Sequence, residues 1–389
     1  MRLLPLDYSV RNLGRSRPRL VLSVLGSALV VILVLAAAAF VRGMDRSIRT
    51  TGGEHNVVLL SAGSEESVER SEVEAAAPGV LEASVRGIRA TGGVPCVSPE
   101  VHVQLPVRTA DGGGKHPVIV RGVTPPATLV HDQVQIIEGR FPLAGNDEIM
   151  VGRAVPDAIG VPAAELAVGK AVLIDKRPWT IVGKFVAPGT VVEAEIWAAL
   201  TDVKAATKRE TISCIVVTLE PGVAEFADIA AFVKTRPDLE LATMPEREYY
   251  AKLAAFFGPV RIVAWVTAGL IGIGGLFGGL NTMYAAFASR VRELGTLQSM
   301  GYRRSSIVVS LAQESMIATA AGALIACAVG VLLLDGLTVR FSMGAFGLLV
   351  DPTVVGVALA AGLALGLLGA LPPAWRCLRM EIPLALKAV

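Results

Sequence analysis

The sequence predicts a membrane protein: a four-helix transmembrane α bundle with a large α+β extracytoplasmic domain inserted between the first and second spans. Three observations predict this class. The 389-residue chain is 53% hydrophobic and only 18% charged, whereas about a quarter of the residues in a soluble protein are charged. Four segments are long and apolar enough to cross a bilayer, which takes about 20 residues. Short strand-like runs recur between the first and second of these segments.

The four apolar segments are almost free of charge. Leu20–Val41, Ile262–Ser289 and Pro352–Trp375 contain no charged residue, and Ile307–Leu334 contains only Glu314. A charge at the centre of a span costs about 2.5–3.5 kcal/mol, so its near absence indicates membrane insertion. A cleaved signal peptide is the alternative for the first segment, but its apolar core is longer than the usual length of about 7 to 15 residues.

Basic residues dominate the flanks that the positive-inside rule assigns to the cytoplasm. They are the arginines before Leu20, then Arg290, Arg292, Arg303 and Arg304, and finally Arg376, Arg379 and Lys387. The rule predicts a multi-pass protein of the cytoplasmic (inner) membrane with both termini inside and the large domain outside. The predicted order is a basic segment (1–19), the first span (20–41), the outer domain (42–257), the second span (258–289), a charged segment (290–304), the third span (305–334), an outer loop (335–351), the fourth span (352–375) and a tail (376–389).

The outer domain alternates between strand and helix signals. Runs rich in Val and Ile predict strands at 56–60, 116–123, 171–175, 179–186 and 212–220, with 171–186 forming a hairpin. The segments 67–77 and 223–235 predict helices. Cys96 and Cys214 both lie outside, so they are the pair that topology allows to form a disulfide. Two buried thiols are the alternative.

The sequence pattern does not indicate a catalytic or metal site. The net charge of +2 gives no nucleic-acid footprint. His55, His102, His116 and His131 lack the spacing of a metal site such as H-E-x-x-H, and no G-x-S-x-G elbow occurs. We therefore expect no catalytic, metal or cofactor site on this chain.

Glu314 is an ionisable residue inside a predicted span, and such residues favour a functional role. The alternative is that Glu314 lies near the inner membrane face and meets Arg303 or Arg304.

Glycines four residues apart occur in two of the predicted spans. They are Gly274, Gly275, Gly278 and Gly279 in the second span, and Gly362 and Gly366 in the fourth. Small residues at this spacing allow helices to approach closely, either within one chain or between two chains.

The charged stretch RVRELGTLQSMG, residues 290–301, predicts a short amphipathic helix. Val291, Leu294 and Leu297 recur on one side, and Gly301 can end the helix. Such a segment can lie at the membrane surface and contact a partner.

The wider stretch 281–326 resembles the signature of the FtsX-like ABC transporter permease family, which includes the MacB and LolC/LolE types. The matching positions are Asn281, Arg290, Arg292, Glu293, Leu294, Gly295, Leu297, Met300, Gly301 and Glu314. The stretches 9–26, 138–152, 179–186 and 371–388 resemble the same family. Two positions depart from its pattern: Tyr302 replaces a small residue, and Ile382 replaces a common acidic residue.

The resemblance implies that 290–304 is a coupling helix that docks into a groove of an ATPase. Leu294 and Leu297 would then fill the groove. Rim contacts would come from Arg292, Glu293 and Arg303, and the helix would be shaped by Gly295 and Gly301.

The resemblance also implies a permease subunit whose ATPase is a separate chain. ATP and Mg²⁺ would bind that ABC ATPase, expected in two copies, and no cofactor would bind this chain. Further implied partners are a second permease subunit, identical or related, and a periplasmic adaptor or acceptor protein. The lipid bilayer surrounds the complex, and no nucleic acid takes part.

The implied function is ATP-driven export, extraction or release of a hydrophobic or amphiphilic substrate such as a lipid, lipoprotein, peptide or drug. Mechanotransmission would connect the ATPase to the outer domain. The alternative is a non-transporting regulator of an envelope partner such as a cell-wall hydrolase. An ATP-independent receptor is a third possibility, which the stretch 292–301 argues against.

Overall fold

The computed structural model describes residues 6–15, 17–109, 114–341 and 344–379. They divide into two compact units. The helical unit comprises Met1–Gly43, Pro259–Leu337 and Leu348–Val389, and the sheet unit comprises Met44–Gly258 and Thr338–Gly347. Lys387 and the second half of the closing stretch 371–388, residues 380–388, lie outside the described residues.

The helices of the described residues fall into two length classes, four of 27 residues or more and eight of 11 residues or fewer. They are α1 (Leu6–Arg15), α2 (Arg17–Thr51), α3 (Ala77–Ser84), α4 (Ala127–Val130), α5 (Val155–Ile159), α6 (Leu200–Thr207), α7 (Phe226–Thr235), α8 (Glu246–Phe256), α9 (Gly258–Ala288), α10 (Val291–Ser299), α11 (Arg304–Leu333) and α12 (Pro352–Leu378).

The strands are mostly short. They are β1 (Asn56–Ser61), β2 (Ala90–Thr91), β3 (Val94–Pro95), β4 (Val97–Thr109), β5 (His116–Val123), β6 (Gln135–Gly139), β7 (Glu148–Gly152), β8 (Ala171–Ile174), β9 (Arg177–Val186), β10 (Ile196–Ala199), β11 (Cys214–Thr218), β12 (Leu241–Pro245), β13 (Thr338–Phe341) and β14 (Gly344–Gly347).

In the part of the chain that the structure describes, four helices are long and apolar enough to cross a membrane: α2, α9, α11 and α12. The shortest, α12, has 27 residues and is about 40 Å long at about 1.5 Å per residue. Its start is well defined because the Asp351 side chain accepts a hydrogen bond from the Val354 N–H at 2.8 Å and Pro352 occupies the first turn. The predicted fold class, with a large domain between the first and second spans, is confirmed.

Three of the glycines that were expected to bring helices together do so within the chain. Gly275 on α9 faces Val30 of α2, and a Cβ added there would lie 2.5 Å from the Val30 side chain. Gly362 on α12 faces α11, where a Cβ would lie 2.6 Å from the Cβ of Ala323. Gly366 faces α11 in the same way. A larger residue at any of these three positions would push two helices apart.

The remaining glycines of α9 have free space beside them. A Cβ on Gly274, Gly278 or Gly279 would meet nothing within 4 Å. Packing within the chain therefore explains only part of the glycine pattern.

The sheet unit contains a ten-stranded sheet in the order β12-β1-β11-β4-β5-β10-β7-β9-β6, with β8 beside β4 and β9. The long strand β4 connects its two halves, because Val97–Glu100 pair with β11 and Val101–Val107 pair with β5. The hairpin predicted at 171–186 is confirmed by the antiparallel pairing of β8 with β9. Its turn residues, Asp175 and Lys176, have φ values of 45° and 71°, as in a type I′ turn.

The two faces of this sheet differ in chemistry. On one face, alternate residues of β4, β5 and β11 form the main apolar core with α3, α6 and α7. The residues between them point to the other face and are polar or ionisable but buried: Ser98, Glu100, His102, Arg121, Cys214 and Thr218. Buried polar groups need hydrogen-bond or charge partners, so this face is where a cluster of such groups is expected.

Cys96 and Cys214 are both free and buried thiols, so of the two alternatives the structure supports the pair of buried thiols and not the disulfide. Cys214 lies opposite Glu100 in the β11–β4 ladder, whereas the carbonyl of Cys96 accepts a hydrogen bond from the Thr218 N–H. The two cysteines are thus four positions apart along the ladder, about 13 Å at about 3.3 Å per residue. A disulfide needs Cα atoms within about 7 Å of each other.

One of the two predicted helices of the outer domain is also wrong. Turns and irregular segments occupy most of 67–77, and Val73 exchanges backbone hydrogen bonds of 2.8 and 2.9 Å with Ile212. Val73 therefore cannot also take part in a helical ladder. The helix predicted at 223–235 is confirmed as α7, which begins with a capping box between Glu225 and Asp228.

Candidate functional site

The apolar side of α10 packs against the chain's own spans. Leu294 is 2% exposed and packs in a cluster with Phe287 of α9, Ile307 of α11 and Ala374 of α12. Leu297 packs against the same cluster. The expectation that Leu294 fills a groove of an ATPase therefore needs correction: burial of a leucine is worth about 1.5–3 kcal/mol, and the chain itself already buries this side chain. Leu297 is only half-buried, and its contact with an ATPase stays a prediction.

The opposite side of α10 and the turn after it are open. Arg292, Thr296 and Arg303 are exposed, and Met300 is 72% exposed. The helix ends at Ser299, and the turn after it contains Gly301, whose φ of 87° favours glycine. We call these exposed residues, with Ser299, the docking face.

Arg290, the residue before α10, connects this helix to α11. Its guanidinium donates to the Glu293 carboxylate at 2.9 Å and to the Glu314 carboxylate at 2.9 Å. The Tyr8 hydroxyl donates to Glu293 at 2.5 Å, and Arg19 lies 3.5 Å from Glu314. We call these five residues the α10 ion cluster.

The α10 ion cluster changes two expected roles. Glu314 pairs with Arg290 and Arg19, whereas Arg303 and Arg304, its expected partners, are exposed. Arg304 is ten residues before Glu314 on α11, about 15 Å along the helix axis, and is too far away.

Glu293, expected at the rim of a partner interface, belongs to the same cluster. Burial alone would raise the pKa of the Glu293 carboxyl, but hydrogen bonds from Arg290 and Tyr8 outweigh burial and lower this pKa. The carboxylate is therefore held in its charged form by residues of its own chain.

One side of α9 is small, polar and exposed. Gly274, Gly278, Asn281 and Ala285 are all exposed, and their spacing of four, three and four residues places them on one side of the helix. Asn281 therefore does not join the α10 ion cluster.

A second group of charges is buried in the sheet unit. Arg121 on β5 is 1% exposed and donates two hydrogen bonds of 2.7 Å to Glu195. Its third nitrogen donates to Glu100 at 2.9 Å. Glu100 also contacts His102 at 2.9 Å and His131 at 2.7 Å. We call these five residues the buried ion cluster.

The charges of the buried ion cluster shift each other's pKa values. Burial would raise the pKa of Glu100, but His131 and Arg121 together lower it well below its ordinary value. Burial would lower the pKa of His131, but Glu100 and Glu246 raise it. Near the cluster, burial and the Glu100 charge raise the pKa of the Cys214 thiol well above its ordinary value.

A partly open cavity borders the buried ion cluster. Its empty space, counted with its mouth, is about 680 Å³. Its walls are mainly apolar and aromatic: Met44, Ile48, Val68, Ile119, Tyr249, Tyr250, Leu253, Phe257 and Phe346. Its polar lining includes His102, Arg121 and Glu195. A site with apolar walls and few polar groups is typical of small-molecule binding.

The buried ion cluster was not predictable from local sequence patterns because its members come from separate strands and loops. The available signal was the period-two stretch E-V-H-V at 100–103, in which polar and apolar residues alternate as in a strand. Pro99 and Pro106 obscured it, since proline argues against a central strand.

Two family profiles match this sequence. The FtsX-like permease C-terminal profile matches residues 265–382, and the MacB-like periplasmic core domain profile matches residues 20–233. No curated protein matches the sequence.

Among solved structures, two protein domains each resemble about half of this chain. The periplasmic region of MacB from Actinobacillus actinomycetemcomitans is 13% identical with a TM-score of 0.40, and the match covers 52% of this chain and 94% of that one. The extracellular domain of the transporter YknZ from Gram-positive bacteria is 12% identical with a TM-score of 0.38, covering 49% of this chain and 99% of that one.

Proposed function

The chain belongs to the FtsX-like permease family with a MacB-like periplasmic core domain, and on this premise we propose that it transmits the energy of ATP hydrolysis from a separate ATPase subunit to its own outer domain. Family membership makes it an ABC-type permease, which associates with an ABC ATPase and dimerises. ATP and Mg²⁺ would bind that partner, in two copies.

The attachment of α10 to the spans is the observation that supports mechanical coupling. Leu294 is held among residues of α9, α11 and α12, and Arg290 joins Glu293 on α10 to Glu314 on α11. A force on α10 would thus reach the spans directly, because a packed helix moves as a rigid element with its neighbours. The docking face is the surface on which an ATPase would exert this force.

The docking face gives a direct test of the coupling role. The tagged full-length chain is purified from native membranes in mild detergent, and ATP hydrolysis is measured in the eluate. Met300→Asp and Arg292→Glu should each lower the recovered ATPase activity about tenfold or more. A tenfold loss corresponds to about 1.4 kcal/mol, which is typical of an interface residue at a hot spot.

Two further variants serve as controls for this test. Leu143→Asp makes the same apolar-to-acid change at a side chain that is 54% exposed in the sheet unit, and it should leave ATPase recovery unchanged. Leu294→Asp should instead lower the yield of folded chain, since it places a charge in a buried cluster. Full ATPase recovery with both docking-face variants would rule out this face as the coupling surface.

The exposed side of α9 supports the dimer that family membership implies. Gly274 and Gly278 leave room for a second helix to approach, and Asn281 can donate and accept hydrogen bonds across such an interface. We place the second permease subunit, identical or related, on this side.

The apolar cavity of the sheet unit supports transport of a hydrophobic or amphiphilic substrate. Its apolar walls would bury a chain or ring system, and its polar lining would orient a head group. The same ATPase assay, repeated with candidate amphiphiles, separates transport from the regulator alternative. Stimulation that depends on the amphiphile favours transport, whereas a regulator of an envelope enzyme would show none.

A further inference from the structure

Three side chains with metal-binding atoms lie together on the polar face of the sheet. Glu100 and His102 are two residues apart on β4, so their side chains share one face. Cys214 on β11 is directly opposite Glu100 in the ladder. The donor atoms of all three side chains lie within 4.8 Å of one another, and all three residues are buried.

We propose that Glu100, His102 and Cys214 bind a zinc ion. A carboxylate oxygen, an imidazole nitrogen and a thiolate are three of the donors that Zn²⁺ prefers, and three protein ligands with one open position are a common arrangement. This site is independent of the ATPase partner and of the docking face.

The donor spacing is close to that of a tetrahedral site. His102 Nε2 is 2.9 Å from Glu100 Oε2 and 3.9 Å from Cys214 Sγ. Zinc–ligand bonds of about 2.0–2.3 Å at tetrahedral angles require donor pairs about 3.4–3.6 Å apart. Changes of about 0.5 Å would bring these two donor pairs to that spacing, and the Glu100–Cys214 pair lies within 4.8 Å. The ion would replace the hydrogen bonds that Glu100 Oε2 makes with His102 and with the Arg121 guanidinium, each at 2.9 Å.

The surrounding charges can accommodate one further cation. Among the described residues of this region, the three buried carboxylates of Glu100, Glu195 and Glu246 outnumber the two buried basic groups beside them, the Arg121 guanidinium and the His131 imidazole. Binding releases one proton from the Cys214 thiol to solvent, so a Zn²⁺–thiolate pair adds one net positive charge. Arg121 keeps its two bonds to Glu195 throughout.

Neighbouring groups hold the ligands in place and leave a route for the ion. The other oxygen of Glu100 accepts from the Ser98 hydroxyl at 2.8 Å and contacts His131 at 2.7 Å. Such outer contacts orient ligating carboxylates. His102 also lines the partly open cavity, which would admit the ion and a water molecule in the fourth position.

Cobalt provides the probe for this site, since Co²⁺ bound to a thiolate absorbs in the near ultraviolet. The full-length chain, purified without a histidine tag and stripped with a chelator, is titrated with Co²⁺. We expect one Co²⁺ per chain with this absorption, and Zn²⁺ should abolish it. Cys214→Ser should weaken Co²⁺ binding at least tenfold. Cys96→Ser, which removes another buried thiol of the same domain, should bind like the parent.

Absence of the thiolate absorption in the parent chain, or its persistence in Cys214→Ser, would overturn the proposal. X-ray absorption of the zinc-loaded parent chain provides a test that needs no variant. A shell with one sulfur at about 2.3 Å and otherwise nitrogen and oxygen supports the site. A shell without sulfur, or with two or more, refutes it.

Discussion

Single buried charges strongly influence the stability of the sheet unit, and Arg121 shows why. Its guanidinium binds Glu195 through two hydrogen bonds of 2.7 Å and Glu100 through one of 2.9 Å. Arg121→Met would fill a similar volume but leave two buried carboxylates without their cation. Breaking a buried pair in this way costs about 3–5 kcal/mol. We expect the free energy of unfolding to fall by about this amount.

Trp197 reports the effect of Arg121→Met, because its Nε1 donates to Glu195 at 3.1 Å and its fluorescence should change when this region unfolds. The matched control is Arg177→Met on β9, where the arginine is 44% exposed and pairs with Asp147. An exposed pair contributes about 0–1 kcal/mol, so this control should unfold almost like the parent chain. If both variants lost the same free energy of unfolding, burial would not make the Arg121 ion pairs more stabilising than the exposed pair of Arg177 and Asp147.

At the same scale, the sequence predicted which residues are unusual better than it predicted their contacts. Glu314 is conspicuous as a carboxylate in an apolar run, but its partners, Arg290 and Arg19, are fixed by the way α10 and α2 approach α11. The shared outer compartment allowed a disulfide between Cys96 and Cys214 to be predicted. The distance between the two cysteines, however, depends on the register of β11 against β4. Contacts of this kind require the tertiary structure, because sequence spacing gives direction only within one element.

The glycines of α12 show how an element depends on its neighbour. A Cβ at Gly366 would lie 3.0 Å from the Cα of Met316 on α11 and would also contact the Thr319 hydroxyl. Gly366→Leu should therefore separate α11 from α12, and overpacking of this kind costs about 1–3 kcal/mol. We expect a lower melting temperature for the purified chain in detergent.

Gly356→Leu is the matched control on the same helix. Gly356 is exposed, and a Cβ there would meet nothing within 4 Å. This variant should melt within a degree or two of the parent, since it adds apolar surface without a clash. A parent-like melting temperature for Gly366→Leu would show that the two helices can move apart at little cost.

Elements with a clear pattern were predictable, and elements shaped by long-range pairing were not. The hairpin of β8 and β9 follows from its turn and alternating residues, and α7 follows from its capping box. The stretch 67–77 has a helical composition, but Val73 pairs with Ile212, almost 140 residues later. Tertiary pairing overrode local preference there. β4 was missed for the opposite reason, because its prolines concealed a strand that is central to the sheet.

For the whole molecule, hydropathy predicted the number and order of the membrane spans, but it did not predict the order of the strands in the sheet. The four spans follow from the cost of placing charge in a bilayer, which acts on each segment separately. The order of the sheet depends on strands distant in sequence, since β1 lies between β11 and β12. Loop-closure and packing energies select this arrangement, and neither is visible in a local pattern.

The orientation of the molecule is the remaining whole-chain prediction. Arginines flank α10 and precede the first span, so moving either region across the membrane would be costly. Two introduced cysteines, Ser84→Cys in the sheet unit and Ser299→Cys on α10, both replace exposed residues. The parent for both is Cys377→Ser, because Cys377 is the partly exposed thiol while Cys96, Cys214 and Cys327 are buried. A membrane-impermeant maleimide should label Ser84→Cys on the outer side of the intact membrane, and Ser299→Cys only after the membrane is permeabilised. Labelling of Ser299→Cys from outside would place the docking face away from ATP, and would exclude the coupling role of α10 together with the predicted orientation.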